Sequence, residues 1–233
     1  MRSNTALAAA LLMLASAGLH AENFCGNITN PFGPYDYRKA KTEYSHELYL
    51  VESTHFTSEI ENGIKGRSGS LANEIDYTLR AFPNHIRALA SLDRLAFKEK
   101  ETNMLNGSRW PVECYFERAV RFAPDDGAAR SAYATYLFRR GQLDKALTMF
   151  REAARITPDD ATVNYNLGLA YFNAKNYSEA NVYAQKAYKL GFPLPALKNK
   201  LVGVGKWQEL PDAPAPAPAP QAALPEAAKP AGQ

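Results

Sequence analysis

The strongest constraint on the fold of this chain is a motif that returns after 34 residues. The sequence RFAPDD begins at Arg121 and RITPDD begins at Arg155, each time just before a run of helix-forming residues. Proline ends a helix because it lacks an N–H and clashes with the preceding turn, whereas Asp caps the start of the next helix. The interval therefore predicts helical hairpins joined at Pro-Asp-Asp turns.

The residues between these joints are patterned as pairs of helices. AARSAYATYLFRRG and LDKALTMFREAARI carry apolar residues at three- and four-residue spacing, and they stop at Gly141 and Pro158. The unit that begins at Ala161 repeats the pattern. We therefore expect one hairpin over residues 127–160 and a second over residues 161–193.

The two units resemble the tetratricopeptide repeat (TPR) family, in which 34-residue helical hairpins stack into a solenoid. The resemblance implies that small residues at the helix contact let the two helices of a hairpin approach closely, while aromatic residues fill the remaining volume. The matching positions are Tyr133, Ala134, Leu137, Ala146, Phe150, Ala153 and Pro158 in the first unit, and Leu167, Gly168, Tyr171, Ala180 and Ala187 in the second.

A degraded copy of the repeat precedes these units over residues 83–126. FPNHIRALASLDRLAFKEK supplies a first helix, with Leu89 and Ala90 at the Leu-Gly positions of the family. PVECYFERAVRFAPDD supplies the second helix, and ETNMLNGSRW lengthens the turn between them. After the last repeat, LPALKNKLVGVGKW predicts a capping helix within residues 194–210.

The segment over residues 22–82 is unlike the repeats, and we expect it to form a helical cap on the open end of the array. HELYLVESTHFTSEIENGI predicts one amphipathic helix. SLANEIDYTLRAF predicts a better one, with Ser70 as its N-cap and an apolar stripe along one face. The stripe residues are Leu48, Val51, His55 and Ile60 in the first helix, and Leu71, Ile75, Thr78, Leu79 and Phe82 in the second. The fold class is thus all-α, a helical-hairpin solenoid capped at both ends.

The two ends of the chain predict processing and disorder. Residues 1–21 carry Arg2, the apolar run ALAAALLMLASAGL and small residues, which is the layout of a secretory signal peptide. Cleavage is expected after Ala17 or Ala21. Residues 211–233, PDAPAPAPAPQAALPEAAKPAGQ, predict a disordered Pro/Ala-rich tail, because they offer too little apolar surface to offset their ordering entropy. The expected product is a periplasmic or secreted protein without a stable membrane anchor.

Charge and cysteine content narrow the classes of partner. The formal net charge is +3, or +2 once Arg2 is removed with the signal, and the basic residues do not form runs. These values give no reason to expect nucleic acid as a partner. The chain has two cysteines, Cys25 and Cys114, and two lone cysteines in an oxidising compartment tend to pair. We expect a disulfide between them.

The resemblance also implies where a protein partner would bind. In this family the first helix of each hairpin lines a concave groove, and five recurrent positions on that helix contact a peptide. The groove residues implied here are Asn84, Arg87, Ser91, Arg94 and Leu95, then Ala128, Ser131, Thr135, Phe138 and Arg139, then Thr162, Tyr165, Leu169, Phe172 and Asn173. Their basic and aromatic character predicts a partner segment with acidic and apolar residues.

The expected function is an exported scaffold or adaptor that holds a protein partner, expected to be an envelope protein, and that uses no cofactor or catalytic residue. One alternative is an assembly factor of a pilus or envelope complex. A weaker one is a metal-binding or enzymatic protein that uses the N-terminal segment, where Glu52, His55 and Glu59 follow helical spacing, Glu61 comes next in the chain and His85 could approach.

Overall fold

The structure is a computed structural model that describes residues 25–100 and 103–209. The predicted signal peptide and the predicted Pro/Ala-rich tail lie outside these residues. All regular secondary structure within them is helical, with a 3-10 turn at Tyr37–Lys39 and no strand. The α-helices are α1 (Ser45–His55), α2 (Ser58–Glu61), α3 (Leu71–Ala81), α4 (Ile86–Lys98), α5 (Val112–Phe122), α6 (Gly127–Arg139), α7 (Leu143–Ile156), α8 (Ala161–Asn173), α9 (Tyr177–Lys189) and α10 (Ala196–Gly203).

Three hairpins form the body of the molecule: α4 with α5, α6 with α7, and α8 with α9. Their first helices have the same length of 13 residues. The Pro-Asp-Asp joints behave as predicted, since Asp126 and Asp160 are N-caps whose carboxylates accept the backbone N–H of Ala129 and Val163. These bonds satisfy amide groups that the start of a helix leaves without a partner.

Small residues let the helices of a hairpin touch, as the repeat pattern implies. Ala134 and Ala146 are fully buried. A Cβ on Gly168 would lie 2.9 Å from Cδ2 of Leu197 and 3.2 Å from the backbone nitrogen of Ala184. The backbone of α8 therefore approaches α9 and α10 too closely for a side chain at this position.

The N-terminal segment is helical but differs from the prediction at one point. The expected single helix over residues 46–64 is broken into α1 and α2 at Phe56 and Thr57. Phe56 leaves helical geometry with φ −143° and is 2% exposed, and Ile60 beyond the break is also buried. Both apolar side chains, one at the break and one after it, thus lie in the core. Helix α3 begins at N-cap Ser70, as predicted.

The predicted disulfide is present between Cys25 and Cys114, which are 89 positions apart in the chain. It fastens the start of the described chain to α5. Arg118 reinforces the attachment from the same helix, because its guanidinium donates to the carbonyl oxygens of Cys25 at 3.0 Å and Asn27 at 2.6 Å. The guanidinium also lies over the ring of Trp110, at 3.9 Å from its centroid. Burial lowers the pKa of Arg118 to about 10.

The C-terminal end of the array is covered by α10, which buries Leu197 and Leu201. The chain then folds back on α9, where the side chain of Asn181 donates to the carbonyl oxygen of Gln208 at 2.8 Å. Each helix in residues 25–100 and 103–209 is too short or too polar to traverse a lipid bilayer.

Candidate functional site

The concave surface of the array contains a pocket of about 230 Å³. The first helices of the three hairpins, α4, α6 and α8, contribute most of its walls. Its lining includes Ala90, Asp93 and Arg94 from α4, Ser131, Ala132, Thr135 and Arg139 from α6, and Thr162 from α8. Six of the predicted groove residues therefore meet in one pocket: Arg94, Ala128, Ser131, Thr135, Arg139 and Thr162.

The predicted groove register is wrong by three residues in the first hairpin. Helices α4, α6 and α8 begin at Ile86, Gly127 and Ala161, each directly after an N-cap. Ile86 is therefore the first helical position, and Asn84 lies before the helix. The N-cap His85 takes the place of Asp126 and Asp160, because its Nδ1 accepts the backbone N–H of Ala88. Pro-Asn-His is thus a third joint, a variant of Pro-Asp-Asp.

Asn84 is a structural residue of this joint and not a groove contact. It is fully buried, and its amide nitrogen donates to Asp36 at 2.7 Å and to Asp126 at 2.8 Å. Its amide oxygen accepts the backbone N–H of Tyr37. Since both ends of the amide are occupied inside the protein, Asn84 has nothing to offer a partner.

The other predicted residues of the first hairpin are engaged by α2. Both carboxylate oxygens of Glu61 bind the guanidinium of Arg87, with Nε donating to Oε1 at 2.9 Å. The backbone carbonyl of Glu61 accepts from Ser91 Oγ at 2.9 Å and from Arg94 at 3.0 Å. Leu95 is buried. Part of the groove face of the first hairpin is therefore already covered by a segment of the same chain.

Burial and hydrogen bonding shift the pKa values of the residues that connect α1 and α2 to α4. The hydrogen bond from Arg87 lowers the pKa of Glu61, and the hydrogen bond from His85 lowers that of Glu52. Burial lowers the pKa of His85, so its imidazole is neutral near pH 7. Because Nδ1 is the acceptor for Ala88, the proton is on Nε2, which donates to Glu52 at 3.0 Å.

In the middle of the groove, Asp93 is a residue that the sequence analysis missed. It stands in α4 at the helical position that Ala134 and Gly168 occupy in α6 and α8. Its Oδ2 pairs with Arg139 at 2.9 Å across the groove. Burial raises the pKa of Asp93, and the nearby arginines oppose that rise. An acidic residue at a position built for a small side chain was the available signal.

The predicted groove residues of α8 are divided between core and surface. Tyr165 is buried, with its ring stacked on Phe192 at a centroid distance of 3.9 Å. It therefore belongs to the packing of the C-terminal end, which corrects its assignment as a free groove contact. Leu169 and Phe172 are half-buried, as is Phe138 in α6, and Asn173 is exposed with its amide bonded to the carbonyl of Leu169.

The N-terminal residues considered for metal binding are held in pairs. His55 Nδ1 lies 2.7 Å from Glu74, and His85 pairs with Glu52. Among the described residues, the one group of three potential ligands that comes together is Cys25, Cys114 and Glu117. Both of its sulfur atoms belong to the disulfide, so neither is available as a thiolate ligand.

The fold and the pocket define a helical-repeat protein of the class that builds protein-interaction scaffolds. A family model described as TPR repeat matches residues 136–174, which run from the end of α6 through α7 and α8. The matched stretch contains the second Pro-Asp-Asp joint and the close approach at Gly168. This match identifies a tetratricopeptide repeat within residues 136–174.

Solved structures similar to this chain include two forms of MamA. The structure titled "MamA RS-1 ArsTM double mutant" is 18% identical, with a TM-score of 0.43, and the match covers 65% of this chain and 78% of that one. The structure titled "MamA MSR-1 C2" is 14% identical, with a TM-score of 0.40, covering 67% of this chain and 80% of that one. No curated protein matches the chain.

Proposed function

We propose that the protein is an exported scaffold that holds a segment of a protein partner in the middle of its groove. The observation that carries the proposal is the pocket of about 230 Å³ between α4, α6 and α8, beyond the part of the groove that α2 covers. Concave surfaces of stacked helical repeats bind extended or helical segments through such contacts.

The pocket favours a partner segment that is more apolar than the sequence analysis implied. Arg87 and Arg94, the basic residues expected to hold an acidic partner, are bonded to Glu61. The remaining walls include Ala90, Ala132 and Phe116. An apolar side chain of the partner would gain burial against these walls, at roughly 25 cal/mol per Å² removed from water.

Two observations support an exported location. The sequence of residues 1–21 has the layout of a signal peptide. The two cysteines of the chain form a buried disulfide, and such bonds persist in oxidising compartments such as the periplasm. An exported scaffold would meet envelope proteins, and we propose one of these as its partner.

We propose a binding role without catalysis, because the groups best suited to chemistry have structural partners. His55 pairs with Glu74, His85 with Glu52, and the cysteines with each other. His85 caps α4, the His55 pair joins α1 to α3, and the disulfide attaches the N-terminal segment to α5.

Site-specific photo-crosslinking in cells tests the proposal. A photoreactive amino acid placed at Thr162, an exposed residue that lines the pocket, is expected to capture one envelope protein. The matched control is the same amino acid at Thr148, which is exposed on α7, a second helix of a hairpin. The captured protein, once purified, should bind the scaffold in solution. Added in excess, it should reduce the crosslinking of the cellular protein to the photoreactive group at Thr162. Equal capture from both positions, or binding that leaves the Thr162 adduct unchanged, would contradict binding in the groove.

A further inference from the structure

Two polar atoms in the wall of the groove pocket are buried without a hydrogen-bond partner among the described residues. They are Oδ1 of Asp93 and Oγ of Ser131. The two residues are 5% and 4% exposed, and both line the pocket. Arg139 engages the other carboxylate oxygen of Asp93, so Oδ1 remains as an acceptor without a donor.

Buried polar atoms without partners destabilise a protein, so a pair of them in one pocket calls for a physical reason. The repeat itself does not require them. At the position of Asp93 the later helices have Ala134 and Gly168, and at the position of Ser131 the neighbouring helix α4 has Ala90. The two polar atoms are therefore particular to this pocket, whose other walls are largely apolar.

We propose that the pocket binds an uncharged amide group of the partner, whose N–H donates to Asp93 Oδ1 and whose carbonyl oxygen accepts from the hydroxyl of Ser131. The inference rests on the proposed function and names the chemistry that the groove recognises. An amide suits an acceptor and a hydroxyl in one pocket because it carries one donor and one acceptor, next to carbon atoms that suit the apolar walls.

Charged groups match the pocket less well. Arg94 and Arg139 both line it, and they repel an ammonium group that approaches Asp93. A carboxylate would meet the negative charge of Asp93 itself. Asp160, the remaining charged residue of the lining, is the N-cap of α8 and accepts the backbone N–H of Val163.

Three small probes with the same pentyl tail test the chemistry on the full chain: hexanamide, pentylammonium and hexanoate. Binding is followed by nuclear magnetic resonance of the isotopically labelled protein. Hexanamide is expected to shift the backbone resonances of the pocket-lining residues, with a dissociation constant in the millimolar range typical of fragments. The two charged probes are expected to bind at least about fivefold more weakly, because each meets a like charge. Equal binding of the three probes, or no shift with hexanamide, would overturn the proposal.

A pair of hydroxyl deletions in the same helix locates the binding. Ser131→Ala removes the hydroxyl without a partner, and it is expected to weaken hexanamide binding about fivefold to tenfold. Thermal stability should be unchanged or higher, because the variant no longer buries an unsatisfied group. Thr135→Ala is the control, since that hydroxyl donates to the carbonyl of Ser131 within the helix. Equal losses in the two variants would show that the contact is not specific to Ser131.

A further pair of probes distinguishes the two sources of an amide. Hexanamide carries a primary amide like that of Asn or Gln, whereas N-butylacetamide carries a secondary amide like that of the peptide backbone. Tighter binding of the first assigns the contact to a side chain, and tighter binding of the second assigns it to the main chain. Crosslinking from Thr162 without amide binding would remove this inference alone. Amide binding without crosslinking would remove the proposed function instead.

Discussion

The first and second hairpins have first helices of equal length and equivalent caps, but α2 covers part of the groove face of the first alone. The difference lies in three equivalent positions. Helix α4 has Arg87, Ser91 and Arg94, and α6 has Ala128, Ala132 and Thr135. The three side chains of α4 reach across to Glu61 of α2, whereas the smaller ones of α6 leave the pocket between the helices. Repeat geometry therefore creates a groove face, and the side chains on it decide whether the chain covers that face itself.

The largest expected effect comes from releasing the N-terminal segment from α5. Replacing both cysteines, Cys25→Ser with Cys114→Ser, should lower the free energy of unfolding by about 4 kcal/mol, because the unfolded chain is no longer constrained by a long covalent loop. Denaturant unfolding measures the loss, and the native protein with its disulfide reduced serves as the control. Hydrogen exchange should rise more in α1 to α4 than in α8 and α9. A uniform rise would show that the two regions do not differ in how they are held.

Close packing at the other end of the array predicts a smaller loss. Gly168→Val should destabilise the protein by about 2 kcal/mol, because its Cβ would meet Leu197 and the backbone of α9. Gly203→Val is the matched control, since nothing lies within 4 Å of a Cβ built there. Its effect should stay within about 0.5 kcal/mol. Equal unfolding midpoints for the two variants would contradict the close approach of α8 to α9 and α10.

Lowering the pH should destabilise the first hairpin and the α2 segment that covers part of it before it affects the second hairpin. The pKa of His85 is lowered from its ordinary value of 6.5, so the stability that it contributes is present above pH 6.5 and is lost as the pH falls. Glu52 and Glu61 have pKa values below their ordinary 4.5, and their contribution is lost as the pH falls below 4.5. All three shifts have the same sign, so local stability of α1, α2 and α4 should decrease from pH 7 to pH 4. Hydrogen exchange of these helices across that range is the measurement, with α6 and α7 as the internal reference.

The smallest expected effect comes from the ion pair between Glu61 of α2 and Arg87 of α4. Glu61→Gln removes the ion pair with Arg87 but keeps the backbone carbonyl that Ser91 and Arg94 bind, so the loss should be at most about 1 kcal/mol. Exchange should increase in α2 and be unchanged in α8. Glu59→Gln is the control, because its ion pair with Lys65 is exposed on both sides and should contribute almost nothing. If both variants behave alike, the carboxylate of Glu61 does not hold the cover in place.

Local signals in the sequence predicted the elements whose causes are local. The Pro-Asp-Asp joints, the N-cap at Ser70 and the helical periods follow from residues within one turn of each other, and the structure confirms them. The third joint was missed because its cap is His85, and a neutral imidazole is an unusual N-cap. Placing Leu89 and Ala90 at the Leu-Gly positions then shifted the register and put Asn84 in the groove.

The features that the sequence could not reveal depend on contacts between distant parts of the chain. Glu61 contacts Arg87 and Arg94 from α2, beyond a helix break at Phe56, and Phe56 and Ile60 are buried in a core shared with α3 and α4. Asp93 of the first hairpin forms an ion pair with Arg139 of the second. Tyr165 is buried because Phe192 returns over it from the loop after α9. Helical spacing assigns each of these residues to a face, but it does not say what packs against that face.

The cover formed by α2 also gives the groove a direction. An extended ligand that runs along α8 and α6 toward the N-terminus meets Glu61 and the side chains bound to it. Its end must stop there or leave the surface. A groove that is blocked at one end fixes the position of the ligand end that reaches it. Segments of different length would then differ only in how far they project toward α10.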